Sequence, residues 1–452
     1  MSELVVRSRR VVTPGGTRPA SVHVRDGRIA AVGDLDADFG GAPVLEALDA
    51  VVMPGLVDSH VHVNEPGRTE WEGWETATRA AAAGGVTTIC DMPLNSIPVT
   101  TTPAAVEEKA RHAARSARVD WALWGGLVPQ NANPRDLDAL LDAGVPGVKG
   151  FLVPSGIDEF PNVTERDLEI AMPILARRGS VLLVHAELPG PIERAGTAGD
   201  PRAHATWLRS RPNAAEDDAI ALLIRLAERT GCRVHVVHLS SASALPLLAG
   251  ARRRGVPITV ETCPHYLTFA AEDVPDGRTE YKCAPPIRER QNRELLWEGL
   301  RDRVLDMVVS DHSPCTPELK RKETGDFLEA WGGISSLQLL LPALATEALA
   351  RGFSLEDVAR LSCAAPARLA GLGAKGEIAE GRDADLVVWY PEKELTVIAA
   401  DLRHRHGVTP YIGRVLRGVV EKTFVRGELV FDARRAESFA TPAGRRLLGS
   451  EV

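Results

Sequence analysis

No basic tract stands out in this 452-residue chain, whose formal net charge is -8. Phosphate recognition needs clustered Lys and Arg, so nucleic acid is not an expected partner. No apolar run approaches the roughly 18 residues of a membrane span, so no membrane partner is expected either. The opening stretch, MSELVVRSRRVVTPGG, lacks the apolar core of a secretory signal. Cysteines are few and scattered, at Cys90, Cys232, Cys263, Cys283, Cys315 and Cys363, with no CxxC pair. Reduced thiols in a cytoplasmic protein fit that pattern better than a disulfide framework. Internal repeats and low-complexity linkers are absent too. What is present is an ordinary soluble balance in a chain too long for one ordinary core. One large domain plus a smaller one is expected.

The first 50 residues read as strands and turns: LVVRSRRVV, a TPGG turn, then SVHVRDGRIAAVG. The same grammar returns near the end in DADLVVWY, GVVEKTFVRG and ELVFD. One small β-domain built from both termini follows, over 1–52 and 372–440. Between them, apolar runs such as VTTICDM, GVKGFL, VLLVHAE, RVHVVHLS, ITVET and DMVVSDH alternate with helical patterns such as AAVEEKARHAARSA. Repeated strand–helix alternation argues for parallel βαβ units. Over 53–371 it suits an α/β fold of the (β/α)8 barrel type better than an open sheet. The stretch 262–300 reads as long loops at the top of the barrel.

Several histidines sit at the ends of apolar strands, which in a barrel is the catalytic face. In MPGLVDSHVHVNEPG, alternation puts Asp58, His60 and His62 on one side of a strand, and two imidazoles so placed can chelate one metal. HxH alone is a weak motif. VLLVHAE ends a strand with His185. In RVHVVHLSS, His235 and His238 differ by an odd number, so a regular strand sends only one into the barrel. His238, nearer the strand end, is the choice, and His235 is expected to face the surrounding helices. DMVVSDHSPC poses the same choice. A carboxylate can bind metal and move a proton, so Asp311 is preferred, with His312 in a supporting role.

Lys149 lies inside the apolar strand of GVPGVKGFLVPSG. Read alone, it is a lysine that reaches solvent or pairs with a carboxylate. Read with the histidines it has another use, because four histidines and one aspartate are few ligands for two metals. A lysine desolvated enough to be a neutral amine can react with carbon dioxide. The resulting carbamate is an anionic ligand able to bridge two cations.

Taken together, HVH, a strand lysine, HAE, a later strand histidine and SDH resemble the cyclic amidohydrolases of the amidohydrolase superfamily. The likeness runs from about Leu4 to about Phe431. DMPLNSIPVTTTP, KGFLVPSGIDEFPNV, YKCAPPIR, SDHSPC and WGGISSLQL resemble the allantoinases most within that group. The resemblance implies a carboxylated Lys149 (N6-carboxylysine) bridging two divalent metals. His60, His62 and Asp311 would complete one site, and His185 and His238 the other. Zinc suits such ligands, as do cobalt, manganese, nickel and iron. The resemblance also implies a β-sandwich beside the barrel and a homotetramer, with EGRDADLVVWY at the turn where the chain re-enters the sandwich.

Departures from the group's patterns bear on the substrate. Dihydroorotases read HxHxREPG, with the arginine on the substrate carboxylate. Here the residue is Asn64, and an amide does not replace a bidentate guanidinium. Dihydropyrimidinases and hydantoinases carry an oxyanion-supporting tyrosine five residues after the bridging lysine. Here that residue is Pro154, with Ser155 as a conceivable substitute. The expected reaction is therefore opening of the cyclic amide of allantoin to allantoate in purine catabolism, with Asp311 moving the proton. Asn95, Ser313 and the backbone around Cys283 and Gly333 are the candidate substrate contacts. Cys283 and Cys315 lack a histidine partner in sequence and are not expected to be nucleophiles. Arg288 is expected in a structural ion pair. The alternatives are a hydantoinase or dihydropyrimidinase-type amidase and a non-catalytic scaffold relative. The scaffold reading is disfavoured because all six ligands are present.

Overall fold

Strands from both ends of the chain meet in one sheet. In this computed structural model, which describes residues 3–435 and 439–448, β1 (Glu3–Thr13), β2 (Gly16–Arg25), β3 (Arg28–Gly33) and β4 (Val44–Pro54) come from the N-terminal side. Next in the chain come the barrel strands: β5 (Leu56–Val61), β6 (Val86–Asp91), β7 (Asp120–Leu123), β8 (Gly125–Gly126), β9 (Gly147–Phe151), β10 (Val181–His185), β11 (Arg233–Val236), β12 (Ile258–Thr262) and β13 (Met307–Val308). The C-terminal side returns β14 (Leu386–Thr396), β15 (Val415–Val425) and β16 (Glu428–Asp432) to the first sheet.

The terminal sheet has the order β16-β15-β14-β4-β1-β2-β3. Its far ends meet. Gly427, in the β15–β16 turn, lies so close to Val24 of β2 that a Cβ there would stand 2.7 Å from the valine. The sheet thus folds over itself as a sandwich around Val6, Val11, Val22, Val24, Ile29, Val52, Leu386, Val388 and Phe424. The expected bounds 1–52 and 372–440 include residues 1, 2 and 436–438, which lie outside the described residues.

The barrel strands pair in parallel throughout. β7 pairs with β6 and β8 with β9, so the two are halves of one strand interrupted at Trp124. A parallel bridge from Val61 to His312 joins the last strand to the first and closes the ring. Helices alternate with the strands, at Trp74–Ala83, Pro103–Ser116, Pro134–Asp142, Glu165–Arg177, Asn213–Thr230, Leu245–Arg253, Arg290–Arg301 and Leu340–Ala350. Side-chain alternation fills both faces. Val57, Cys90, Ala122, Leu183, Val237, Met307 and Val309 belong to the interior cluster. Leu182, Val184, Val234 and Val236 belong to the cluster that meets the helices. Local signals set the helix starts: Thr102, Asn133 and Thr164 each accept a backbone N–H as N-caps. The stretch 262–300, expected as loop, includes the helix Arg290–Arg301. Its apolar face buries Leu296, Trp297 and Leu300.

A buried ion cluster joins the two units at the end of the barrel away from the strand C-termini. Lys375 Nζ lies 2.6 Å from Asp120, the first residue of β7, 2.7 Å from Asp385 and 3.0 Å from Asp383. Arg426, from the β15–β16 turn, also bonds Asp120.

Candidate metal centre and cleft

The C-terminal ends of the barrel strands surround one cleft. His60, His62, Asn95, Lys149, Pro154, Ser155, His185, His238, Asp311, Ser313 and Gly333 all line it. His60 and His62 arrive from β5 and the turn after it. That turn is pinned by the Asp91 carboxylate, which accepts from Val63 N at 2.7 Å and is itself paired with buried Lys109 at 2.6 Å.

Asp311 is the hub. Its Oδ1 lies 3.2 Å from His60 Nε2 and 3.6 Å from His62 Nε2, and it accepts the Ser313 hydroxyl at 2.7 Å. Burial alone would raise the Asp311 carboxyl. His60 and the other imidazoles outweigh it and hold the group well below the usual carboxylate range. Across the cleft, His185 Nδ1 and His238 Nε2 approach to 3.0 Å. Burial lowers both rings, and pushes His62 down to about 4. Neutral imidazole is the form that binds a cation.

Carboxylates behind the histidines set which nitrogen faces inward. His60 Nδ1 lies 2.5 Å from Glu261, leaving Nε2 toward Asp311. His185 Nε2 lies 2.7 Å from Glu187, leaving Nδ1 toward His238. A histidine that donates one ring N–H to a carboxylate presents the other nitrogen as a lone pair.

The donors fit a divalent cation on two counts. One atom each from His60, His238 and Asp311 can be chosen so that all lie within 4.8 Å of one another. His60 Nε2 and His238 Nδ1 are buried with no hydrogen-bond partner. Orphaned buried polar atoms are costly unless something else satisfies them.

The Lys149 ammonium is buried and makes no hydrogen bond or ion pair among the described residues. Its recorded contact is the Phe151 ring, 5.1 Å from Nζ. Burial pushes its ammonium down to about 8, against the pull of Asp311.

The model described as the amidohydrolase family matches residues 51–430. This chain belongs to the amidohydrolase family. An allantoinase of Streptomyces avermitilis is 54% identical over 446 residues, spanning 98% of each chain. An allantoinase of Arabidopsis thaliana is 46% identical over 442 residues, covering 94% of this chain and 87% of that one. Among solved structures, the L-hydantoinase (dihydropyrimidinase) from Arthrobacter aurescens superimposes with a TM-score of 0.92 at 32% identity. The match covers 99% of this chain and 100% of that one.

His235 does not face the helices. It pairs in register with Leu183, which pairs with Lys149, so it points into the barrel. There it bonds Glu261 at 2.9 Å and Thr259 at 2.8 Å. Strand parity failed because β11 ends at Val236 and His238 has φ 39°, which swings a second side chain inward. Asp311, at φ 43°, also lies past its strand. His312 does leave the cleft, bonding Glu72 at 3.1 Å.

Cys283 does not line the cleft. Its carbonyl accepts the Trp207 indole N–H at 2.9 Å, and Ala284 lines the cleft instead. Gly333 lines it, but its amide donates to Lys282 O at 2.9 Å and its carbonyl accepts from Lys320. A Cβ there would stand 2.2 Å from Ser313 O, so its role is close packing behind Ser313. Ser155 donates to Phe160 O at 2.6 Å and so is not the donor missing at Pro154. Asn64 donates to Pro314 O at 3.3 Å. Asn95 stands in the cleft with its amide 3.5 Å from His62 Nδ1. Arg288 pairs with buried Glu216 at 2.6 Å. Burial pushes the Cys283 thiol up to about 12 and raises Cys315, neither of which suits a nucleophile.

Sequence reading missed Glu187, Glu261, Arg211, Trp331 and Gly332. Glu187 and Glu261 carried a signal, each being a carboxylate at or just past the end of an apolar strand. Arg211 carried none.

Proposed function

We propose that this protein hydrolyses the cyclic amide of allantoin to allantoate, a step of ureide and purine breakdown. The observation that carries the substrate is the end-to-end likeness to proteins named allantoinase. The cleft supports the chemistry, with neutral imidazoles, one strongly ionised carboxylate and an unpartnered lysine around one space.

His60, His62 and Asp311 would hold one divalent cation, and His185 and His238 a second, with Lys149 between them as a carbamate. The free Lys149 amine is the reactive form. Its nitrogen bonds the carbon of carbon dioxide, loses a proton, and leaves an anionic carboxylate-like end. Zinc suits these nitrogen and oxygen donors, and cobalt, manganese, nickel or iron fit them as well. Bound cations supply Lewis acidity and a water activated near neutral pH.

The remaining chemistry falls to the chain. Asp311, fully ionised and steadied by Ser313, takes a proton from the attacking oxygen as that oxygen bonds the ring carbonyl carbon. It returns the proton to the ring nitrogen as the carbon–nitrogen bond breaks. Asn95 suits the amide and ureido groups of the substrate. Its Nδ2 faces His62 Nδ1 at 3.5 Å, and its Oδ1, buried without a partner, is left to accept a substrate N–H. The family likeness also supports a homotetramer, which light scattering on the purified protein would test.

Ring opening of allantoin, hydantoin, dihydrouracil and dihydroorotate by the metal-loaded protein tests the reading. Allantoin should be the best substrate. Good turnover of hydantoin with none of allantoin would replace the reading by a hydantoinase, which the likeness to the Arthrobacter structure would then explain.

A further inference from the structure

We propose that Arg211 forms an anion subsite in the cleft, and that its ligand is the carboxylate released when the ring opens. The inference rests on the reading of the cleft as a cyclic-amide hydrolase.

Arg211 follows the helix His204–Ser210 and lines the same cleft as Lys149, His185 and Asp311. Its backbone N–H donates to Leu208 O at 3.2 Å, and three further contacts hold it. Arg288 Nη1 donates to its carbonyl at 3.2 Å, and Arg288 is itself fixed by its buried pair with Glu216. Its guanidinium carbon stands 5.1 Å from the Trp207 ring. Its Nη2 lies 3.5 Å from Glu187 Oε2, an oxygen already bonded to His185 Nε2 at 2.7 Å. That ion pair is loose, and Arg211 Nε is buried with no partner at all. A guanidinium has five N–H donors in a planar fork. Here the fork is preorganised while much of its capacity is unused.

Two cationic side chains line the cleft, Lys149 and Arg211. Lys149 becomes anionic on carboxylation, which leaves Arg211 as the positively charged side chain beside the cations that the cleft would hold. The substrate ring is neutral. Hydrolysis adds water across the carbon–nitrogen bond, so the attacked carbonyl carbon becomes a carboxylate, a proton is released, and the nitrogen leaves as an uncharged ureido arm. A guanidinium prefers a carboxylate, which it binds through two parallel hydrogen bonds, over a neutral carbonyl. Arg211 therefore binds product more tightly than substrate and makes the reaction subject to product inhibition.

Arg211→Met and Arg211→Lys test this, read by the inhibition constant of added allantoate, the KM for allantoin, and metal content. Losing a charged hydrogen-bonding partner should weaken allantoate inhibition by about tenfold or more in Arg211→Met, with KM changed by less than about threefold. Arg211→Lys should fall between, keeping the charge without the fork. Metal content should stay as in the unaltered protein. Equal changes in the inhibition constant and KM, or an unchanged inhibition constant, overturn the subsite. Loss of metal also overturns it, by making Arg211 a prop for Glu187 and His185. Hydrolysis of dihydroorotate that disappears in Arg211→Met assigns the subsite to a substrate carboxylate and overturns the product assignment. If hydantoin rather than allantoin is the substrate, that reading fails separately. N-carbamoylglycine then replaces allantoate as the probe under the same criteria.

Discussion

Glu261 lies 2.5 Å from His60 Nδ1, on the side of the ring opposite Asp311. The same carboxylate bonds His235 at 2.9 Å and accepts the His238 backbone N–H at 3.2 Å. Burial alone would raise this carboxyl, but His60 and His235 outweigh it and hold it at about 2. One buried anion thus fixes the tautomer of His60, gives His235 its place in the barrel, and anchors the backbone where His238 turns inward.

Glu261→Gln keeps the shape and removes the charge. The His60 Nδ1–H then meets a weaker acceptor, and either tautomer becomes accessible. Partners of this kind typically contribute about ten- to a hundredfold in metal affinity. Competition with a chelator should show a loss in that range, with the far-ultraviolet circular dichroism unchanged. Unaltered affinity would show that Asp311 alone positions His60.

Lys149→Ala tests the carbamate. Metal content and turnover should both drop sharply, and a short carboxylic acid such as acetate or propionate should restore part of each. The added acid occupies the space of the missing bridge and supplies the same two oxygens. Unchanged metal content in Lys149→Ala would remove the bridge from the mechanism.

The barrel, the terminal sheet and the positions of the six proposed ligands were legible because each rests on a local pattern. Apolar runs of strand length alternate with helical periods, and polar residues appear where those runs end. The limit lay in assuming that strand parity persists past the last ladder bond. It does not at His238, where positive φ re-aims the side chain beside inward-facing Val237. Hence alternation alone sends His235 to the helix side, whereas both His235 and His238 face the barrel interior. Backbone roles were equally hidden. Gly333 was expected to touch substrate, yet Lys282 and Lys320 occupy both its polar groups, and those residues are distant in sequence. Arg211 follows a short helix and becomes a cleft residue only once the loops fold over the barrel.

His204 gives a prediction for pH. It is buried with neither ring nitrogen bonded, against the edge of Phe327 at 5.5 Å. Burial pushes its imidazole from the ordinary 6.5 down to about 4. Between those values the unfolded chain takes up a proton that the folded chain refuses, so stability falls as pH drops from about 6.5 to about 4. The shift corresponds to roughly 3 kcal/mol over the whole window. Urea unfolding of His204→Leu across that range should show a shallower loss than the unaltered chain. The remaining slope would belong to other buried histidines such as His404, which burial also pushes to about 4. Identical slopes in the two chains would sink the assignment.

Lys375 ties the sandwich to the barrel far from the cleft. Its ammonium serves Asp120, Asp383 and Asp385 at 2.6, 3.0 and 2.7 Å. Asp120 belongs to a barrel strand, whereas Asp385 immediately precedes the first sandwich strand of the C-terminal side. Burial would push the ammonium down, yet the three carboxylates raise it instead, so the lysine stays charged. Lys375→Met leaves these acids with Arg426 as their main neutraliser, in a site where an uncompensated charge is expensive. Breaking a buried pair from one side typically costs roughly 3–5 kcal/mol. The denaturant midpoint should fall accordingly, while turnover per folded molecule stays close to that of the unaltered protein, because no cleft residue touches Lys375. A midpoint that does not move would mean that Arg426 and solvent carry the three acids unaided, and that the two units are held together by their apolar contacts instead.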